Sequence, residues 1–128
     1  MNILHVHHVA IIASDYLRSK QFYCDVLGMK IVGEHYRAER QSYKCDLSLN
    51  GNYTIELFSF PNSPARLSHP EATGLRHLAF AVQNLEDWIL ELSQKGIHAP
   101  EIRLDEFTGK RFCFISDPDQ LPIEFYEK

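Results

Sequence analysis

Short apolar runs alternate with polar turns along the whole chain. In the first half, Asp15 is a good N-cap for a helix, and Gly28 stands where a left-handed helix end is expected. The predicted elements are a strand at 5–12, a helix at 15–27, and strands at 29–36, 43–49 and 53–60. This order predicts a βαβββ module over about residues 5–60.

The second half repeats this pattern after a loop. Residues 61–74 contain three prolines and no clear period, whereas Asn84 and Gly96 again bracket a helix. The remaining elements are strands at 75–82, 98–104, 110–116 and 121–126. The sequence therefore predicts a second βαβββ module over about 75–128, and an α+β fold for the whole chain.

The repeat also extends to ionisable residues. Both helix caps, both helix stops, one histidine and one glutamate recur at an offset of 68 or 69 residues. The matched pairs are Asp15 and Asn84, Gly28 and Gly96, His8 and His77, and Glu56 and Glu124.

The recurring histidines and glutamates fall among apolar or small residues. Strand alternation places His8 on one face with Ala10 and Ile12, for example. Ionisable groups there are costly unless they are paired or bind a cation, and imidazole with carboxylate suits zinc, nickel, cobalt, manganese or iron. The spacing alone leaves a divalent metal site and four hydrogen-bonded or solvent-facing structural residues as alternatives.

Composition excludes several other classes. A chain of 128 residues and 14.9 kDa fits one domain, and a net charge of −4 with pI near 5.9 gives no basic surface for nucleic acid. No apolar run is long enough to span a membrane, and the N-terminal residues do not resemble a signal peptide, which favours a cytoplasmic protein. Three cysteines without CxxC spacing argue against both a disulfide framework and a thiolate zinc site.

Four segments together carry a family resemblance. They are HHVAIIASDYLRSKQFYCDVLGMKIV, IELFSF, RHLAFAV and DPDQLPIEFYE. In combination they resemble the vicinal-oxygen-chelate superfamily, which includes glyoxalase I and related lyases, epimerases and dioxygenases. The resemblance implies paired βαβββ modules that form a curved, partly open sheet around one divalent metal, most often zinc or nickel, and a homodimer. It also implies that the metal ligands are His8, Glu56, His77 and Glu124.

The substrate contacts are predicted to be mixed in polarity. Ile12 and Phe60 stand where bacterial glyoxalase I has an arginine and an asparagine for glutathione, which disfavours that substrate. Ile12, Phe58 and Phe60 instead predict an apolar wall, with the Tyr126 hydroxyl as a donor. The basic residues that could meet a substrate anion are Arg37, Arg40, Lys44, Lys110 and Arg111, with Arg111 favoured.

Two functions remain open at this point. One is a glyoxalase-like metal-dependent lyase or isomerase that moves a proton on a small oxygen-bearing substrate through a metal-chelated enediolate, with Glu56 or Glu124 as the base. The other is a metal-independent small-molecule binding or drug-resistance protein with the same fold. Whether the four ligands meet within one chain or across two is also left open by the sequence.

Overall fold

The computed structural model describes all 128 residues and divides them into two compact units, Met1–Ala65 and Arg66–Lys128. The boundary falls within the loop predicted at 61–74, so each unit holds one predicted module. No helix is both long and apolar enough to cross a bilayer.

The first unit is a four-stranded mixed sheet with strand order β1-β4-β3-β2. Its strands are β1 (Val9–Ala13), β2 (Lys30–Arg37), β3 (Ser42–Leu49) and β4 (Asn52–Ser59). β1 pairs parallel to β4, and the other neighbours pair antiparallel.

One face of this sheet carries the helical segment and the core of the unit. Helix α1 (Tyr16–Gln21) starts at Asp15, whose carboxylate accepts a hydrogen bond from the Arg18 backbone N–H at 3.2 Å. A π-helical turn continues the helix over Phe22–Val26. Ile55 and Leu57 in β4 are fully buried, and each contributes about 2 kcal/mol of apolar burial. Residues that alternate with them, such as Glu56, therefore lie on the open face.

The second unit repeats this architecture with strand order β5-β8-β7-β6. Its elements are β5 (Leu78–Val82), α2 (Leu85–Gln94), β6 (Arg103–Leu104), β7 (Arg111–Ser116) and β8 (Pro122–Glu127). The Trp88 ring of α2 packs edge-on against Phe125 of β8, with centroids 5.0 Å apart. Glu124, next to Phe125 in sequence, consequently points to the open face.

The two four-stranded mixed sheets confirm the predicted α+β fold of paired βαβββ modules. The strand ends differ from the predictions where no neighbouring strand is present. β1 starts at Val9 because Val9 is the first residue that pairs with β4, at Ile55. β6 contains only Arg103 and Leu104 of the strand predicted at 98–104. His8 and His77 consequently lie just before β1 and β5 rather than within them.

Candidate metal centre

In the first unit, strand register places His8 beside Glu56. Ala10 of β1 lies opposite Glu56 of β4, and His8 is two residues before Ala10 on the same face. The His8 Nε2 atom is 3.9 Å from Glu56 Oε2, and the two side chains are 33% and 17% exposed. His8 Nδ1 contacts His7 Nδ1 at 2.8 Å, so Nε2 is the nitrogen directed at the carboxylate.

A polar group surrounds Glu56 on this face. The Tyr53 hydroxyl is 2.8 Å from Asp46 Oδ1 and 3.0 Å from Glu56 Oε2, so its single proton serves both carboxylates. Lys44 Nζ donates to Asp46 at 2.8 Å and lies 3.5 Å from Glu56. The Tyr53 ring also stacks on His8, with centroids 5.1 Å apart. Tyr53 therefore contacts both predicted ligands of the first unit.

The charges of this group stabilise one another. Burial acts to raise the pKa of Asp46, but hydrogen bonds from Lys44 and Tyr53 overcome it and hold that pKa below its usual value. The same bond to Asp46 raises the pKa of Lys44. Burial, with hydrogen bonds to Asp46 and Glu56, raises the pKa of Tyr53, so its hydroxyl keeps its proton.

The second unit pairs His77 with Glu124 in the equivalent places. Ala79 of β5 lies opposite Glu124 of β8, as Ala10 lies opposite Glu56. His77 Nε2 is 2.9 Å from Glu124 Oε2, and the side chains are 32% and 13% exposed. The His77 ring packs edge-on against Phe114 at 5.2 Å. The repeat found in the sequence thus corresponds to two histidine–glutamate pairs of similar burial.

The surroundings of the two pairs differ in polarity. In the first unit Asp46 lies opposite Glu56, whereas in the second unit Phe114 lies opposite Glu124. Phe112 likewise takes the place of Lys44. Phe112 lies opposite Tyr126, two residues after Glu124, and Lys44 lies opposite Phe58, two residues after Glu56. Glu56 is therefore held by a hydroxyl and an ammonium group, whereas Glu124 has His77 as its partner beside an aromatic wall.

The donor chemistry of both pairs fits a divalent cation. Imidazole nitrogen and carboxylate oxygen are ligands of zinc and related ions at about 2.1 Å, so two ligands of one ion lie at most about 4.2 Å apart. The separations of 3.9 Å and 2.9 Å both satisfy this limit. Neither unit by itself gathers three or more side chains of the metal-ligating kind. Each pair contains two of the four ligands that the family resemblance implies.

Three apolar residues that the sequence analysis predicts as a substrate wall lie near Glu56 in the first unit. Ile12 of β1 lies opposite Phe58 of β4, on the face that carries Glu56. The Phe58 and Phe60 rings stack with centroids 5.8 Å apart, and Ile12 is 54% exposed. These three residues thus form an accessible apolar surface beside Glu56.

Arg111 lies on the other face of its sheet, which the sequence analysis did not anticipate. Its guanidinium binds Glu86 of α2 at 2.5 and 2.9 Å and Glu127 at 2.7 and 2.9 Å. Glu127 also accepts from the Leu85 backbone N–H at 2.9 Å, at the start of α2. Strand alternation separates Arg111 from Glu124, and both of its carboxylate partners belong to the helix side. The geometry therefore assigns Arg111 to attaching α2 and gives no support to a substrate contact.

Tyr126 is on the same face as Glu124, as predicted, but its hydroxyl is already engaged. It donates to Asp105 Oδ2 at 3.0 Å and is hydrogen-bonded to Thr108. In this arrangement Tyr126 fixes the turn after β6, and a substrate would have to compete with Asp105 for its proton.

Sequence reasoning missed Tyr53 and Asp46 as neighbours of the ligands. Strand alternation alone places Asp46 and Lys44 on one face of β3. The Asn50-Gly51-Asn52 hairpin signal predicts that β3 pairs with β4, but the register that places Asp46 opposite Glu56 includes an irregularity between Leu47 and Ser48, which no local signal specifies.

Comparisons with known proteins cover both units. Residues 5–125 match the family model described as the Glyoxalase/Bleomycin resistance protein/Dioxygenase superfamily. The chain is 59% identical over 123 residues to the uncharacterised protein YwkD of Bacillus subtilis (strain 168), with 96% of each chain covered. It is 52% identical over 128 residues to the uncharacterised protein YaeR of Escherichia coli (strain K12), with 100% of this chain and 99% of that one covered. A crystal structure of a glyoxalase family protein from Enterococcus faecalis superposes with a TM-score of 0.89 at 45% identity, over 96% of this chain and 97% of that one.

Proposed function

Because the chain belongs to the Glyoxalase/Bleomycin resistance protein/Dioxygenase superfamily, we propose that it is a metal-dependent lyase or isomerase of the glyoxalase type. Its substrate is a small molecule with neighbouring oxygen atoms, and its reaction moves a proton at the carbon beside one of them. The observation that carries this proposal is the occurrence of two histidine–glutamate pairs at equivalent positions of the strand register.

The proposed ligands of one divalent ion, zinc or nickel in the first instance, are His8, Glu56, His77 and Glu124. Two neutral imidazoles and two carboxylates balance the charge of a divalent ion and leave open positions if its coordination is octahedral. When bound, such an ion supplies Lewis acidity toward substrate oxygen and lowers the cost of negative charge that develops there.

The chain's own residues supply binding and proton transfer. Ile12, Phe58 and Phe60 offer an apolar surface beside Glu56, which orients the carbon skeleton and excludes water. Glu56 is fixed by Tyr53 and Lys44, whereas Glu124 has His77 alone as a partner and is freer to move. We therefore propose Glu124 as the group that takes the proton from carbon and returns it, and Glu56 as the fixed ligand.

Elemental analysis of protein purified without chelator or affinity tag tests the metal site. We expect about one transition metal per chain in the wild type and its loss in His8→Ala and in His77→Ala. His98→Ala is the matched control, because His98 is exposed and outside both pairs. If the wild type contains no metal, and takes none up when titrated with zinc, nickel, manganese or ferrous iron, the proposal is wrong.

Proton exchange tests the assigned base. With the metal that the protein retains, exchange of the carbon-bound proton of α-hydroxy carbonyl compounds in D2O can be followed by NMR. We expect Glu124→Gln to keep substantial metal but to lose exchange, and Glu56→Gln to lose mainly metal affinity. Undiminished exchange in Glu124→Gln would contradict the assignment.

A second candidate function is small-molecule binding without a metal, and one contact favours it. His77 and Glu124 are close enough at 2.9 Å to hydrogen-bond directly, so this pair is satisfied with no cation present. The same fold would then present Ile12, Phe58 and Phe60 as a binding surface. Ligand binding that survives complete metal removal, together with an absence of proton exchange, would support this function over the enzyme.

A homodimer is also proposed, from the family and from the small size of the chain. Light scattering coupled to size-exclusion chromatography, at concentrations above and below those used in the metal titrations, measures the mass directly. A mass near 14.9 kDa at all concentrations would contradict this assignment.

A further inference from the structure

Arg37 lies at the end of β2, over the aromatic pair of the first unit. Its guanidinium carbon is 5.0 Å from the ring centroid of Phe58 and 5.7 Å from that of Phe60. Phe58 is two residues after Glu56 on β4, so it lies roughly 7 Å further along the same face. Arg37 thus stands at one end of the apolar surface that begins beside the proposed ligand Glu56.

The guanidinium of Arg37 has donors without acceptors. Nη2 donates to Ser42 Oγ at 2.8 Å, while Nε is buried and has no hydrogen-bond partner. A buried N–H without an acceptor is costly, and native proteins rarely keep one unless a water or ligand satisfies it. Nη1 has no hydrogen-bond partner either and is not buried, so Nη1 and the second hydrogen of Nη2 form the fork that an anion can reach with two parallel bonds.

Two neighbouring lysines, Lys20 of α1 and Lys44 of β3, are paired with carboxylates, but Arg37 is not. Lys20 pairs with Glu34 at 2.7 Å and Lys44 pairs with Asp46 at 2.8 Å. Arg37 pairs with no carboxylate. It is therefore a cation on an apolar surface with unused hydrogen-bonding capacity.

The second unit shows which residue occupies the position equivalent to Arg37. Arg37 pairs with Ser42 in the first sheet. In the second unit Lys110 is equivalent to Ser42, and the Asp105 backbone N–H donates to the Lys110 carbonyl. Asp105 is therefore the residue equivalent to Arg37. There the Tyr126 hydroxyl, on the residue equivalent to Phe58, donates to Asp105 at 3.0 Å. In the first unit Arg37 takes the place of this acid and Phe58 takes the place of the tyrosine, so the position carries a cation without a partner of opposite charge.

We propose that Arg37 binds a carboxylate of the substrate, and that the substrate class is therefore an anionic compound with vicinal oxygens rather than a neutral one. This inference rests on the proposed function for the oxygen-bearing end of the substrate. The carboxylate would lie a few carbon atoms from the reacting oxygens, with the chain between them on Phe58 and Phe60. Arg37 is then a specificity-determining residue.

Titration of metal-free protein tests the anion site without any dependence on the metal. The probes are butyrate and its uncharged equivalent butyramide, and the readout is the Nε–Hε signal of Arg37 in the ¹H–¹⁵N NMR spectrum, assigned with Arg37→Gln. We expect butyrate bound at the Nη groups to shift this signal in a saturable way, and butyramide to leave it unchanged. Arg40→Gln removes the same charge from an exposed position nearby and should not alter the titration. No saturable shift with butyrate in wild-type protein would overturn the inference.

A second titration joins the anion site to the metal site. Hydroxamates offer two vicinal oxygens, so metal-loaded protein is titrated with succinic monohydroxamate and with uncharged butanohydroxamate. We expect the anionic probe to bind about ten- to 100-fold more tightly to the wild type and to Arg40→Gln, as a charge-assisted fork predicts. Arg37→Gln should bring the two probes within about twofold of each other.

The outcomes separate the inference from the proposed function. If both hydroxamates bind and Arg37→Gln keeps the preference for the anionic one, the inference is wrong and the metal site stands. If the protein takes up no metal and binds neither hydroxamate, the proposed function fails, and the butyrate titration alone decides whether Arg37 binds an anion.

Discussion

Tyr53→Phe isolates the hydroxyl that connects Asp46 to Glu56. The substitution removes one oxygen and keeps the ring, so the stacking on His8 at 5.1 Å is preserved. The lost hydrogen bonds measure 2.8 Å to Asp46 and 3.0 Å to Glu56, and both acceptors are carboxylates. A hydrogen bond to a charged group contributes about 1.5–3 kcal/mol, here shared between two acceptors.

The effect on folding and the effect on metal affinity should differ. After the substitution Asp46 keeps Lys44 at 2.8 Å, and Glu56 keeps the same ammonium group at 3.5 Å, so neither carboxylate is left without a partner. We therefore expect the free energy of unfolding to fall by only about 1 kcal/mol. Glu56 loses the group that fixes its orientation, and loss of such a partner typically weakens metal binding by about ten- to 100-fold.

Zinc affinity can be measured by competition with a chromogenic chelator at constant pH. Tyr36→Phe is the matched control, because the Tyr36 ring packs on Tyr43 and is 55% exposed. Tyr53→Leu removes the ring as well, and we expect it to lose more affinity than Tyr53→Phe. The reasoning is refuted if Glu56→Gln loses the metal while Tyr53→Phe binds zinc as tightly as the wild type.

Two further predictions concern the second unit. Arg111 holds the pKa of Glu127 and of Glu86 below the usual range, so this contribution to stability is present at neutral pH and is lost as the pH falls below the usual glutamate pKa and through the lowered pKa of the folded state. Arg111→Met should lower the melting temperature at pH 7, measured by circular dichroism. The melting temperature of the variant should also decrease less than that of the wild type as the pH is lowered. Zinc affinity should not change. Asn84→Ala removes the acceptor of the Asp87 backbone N–H, at 2.9 Å, and should cost about 1 kcal/mol in guanidinium denaturation with an unchanged m-value.

The element order could be predicted because its signals are local. Asp15 and Asn84 both cap helices in the structure, and Gly28 and Gly96 both take the positive φ of a helix end. The strand limits could not be predicted, since they depend on neighbours distant in sequence. His8 and His77 precede their strands because the parallel partners begin pairing at Val9 and Leu78.

The candidate site shows the same division between local and long-range information. The repeat offset was enough to select two histidines and two glutamates, because the histidine pair and the glutamate pair both recur at the spacing of the helix caps. A position beside a turn favours Arg111 as a substrate contact, but the face that Arg111 occupies depends on where α2 packs. The sequence offers Arg37 only as one of several basic residues that could meet a substrate anion, and the stacking on Phe58 and Phe60 distinguishes it.

The repeat accounts for the proposed ligands, and departures from the repeat account for the chemistry proposed to act on a substrate. Where the units agree, each provides a histidine and a glutamate at the same register positions. Where they differ, the first unit has Asp46 and Arg37 and the second has Phe114 and Asp105 in their places. An enzyme that moves a proton on an asymmetric substrate needs one fixed ligand, one mobile base and a means of orienting the substrate. A symmetric pair of units could not distinguish the two ends of such a substrate, and in the proposed enzyme these differences between the units would provide that distinction.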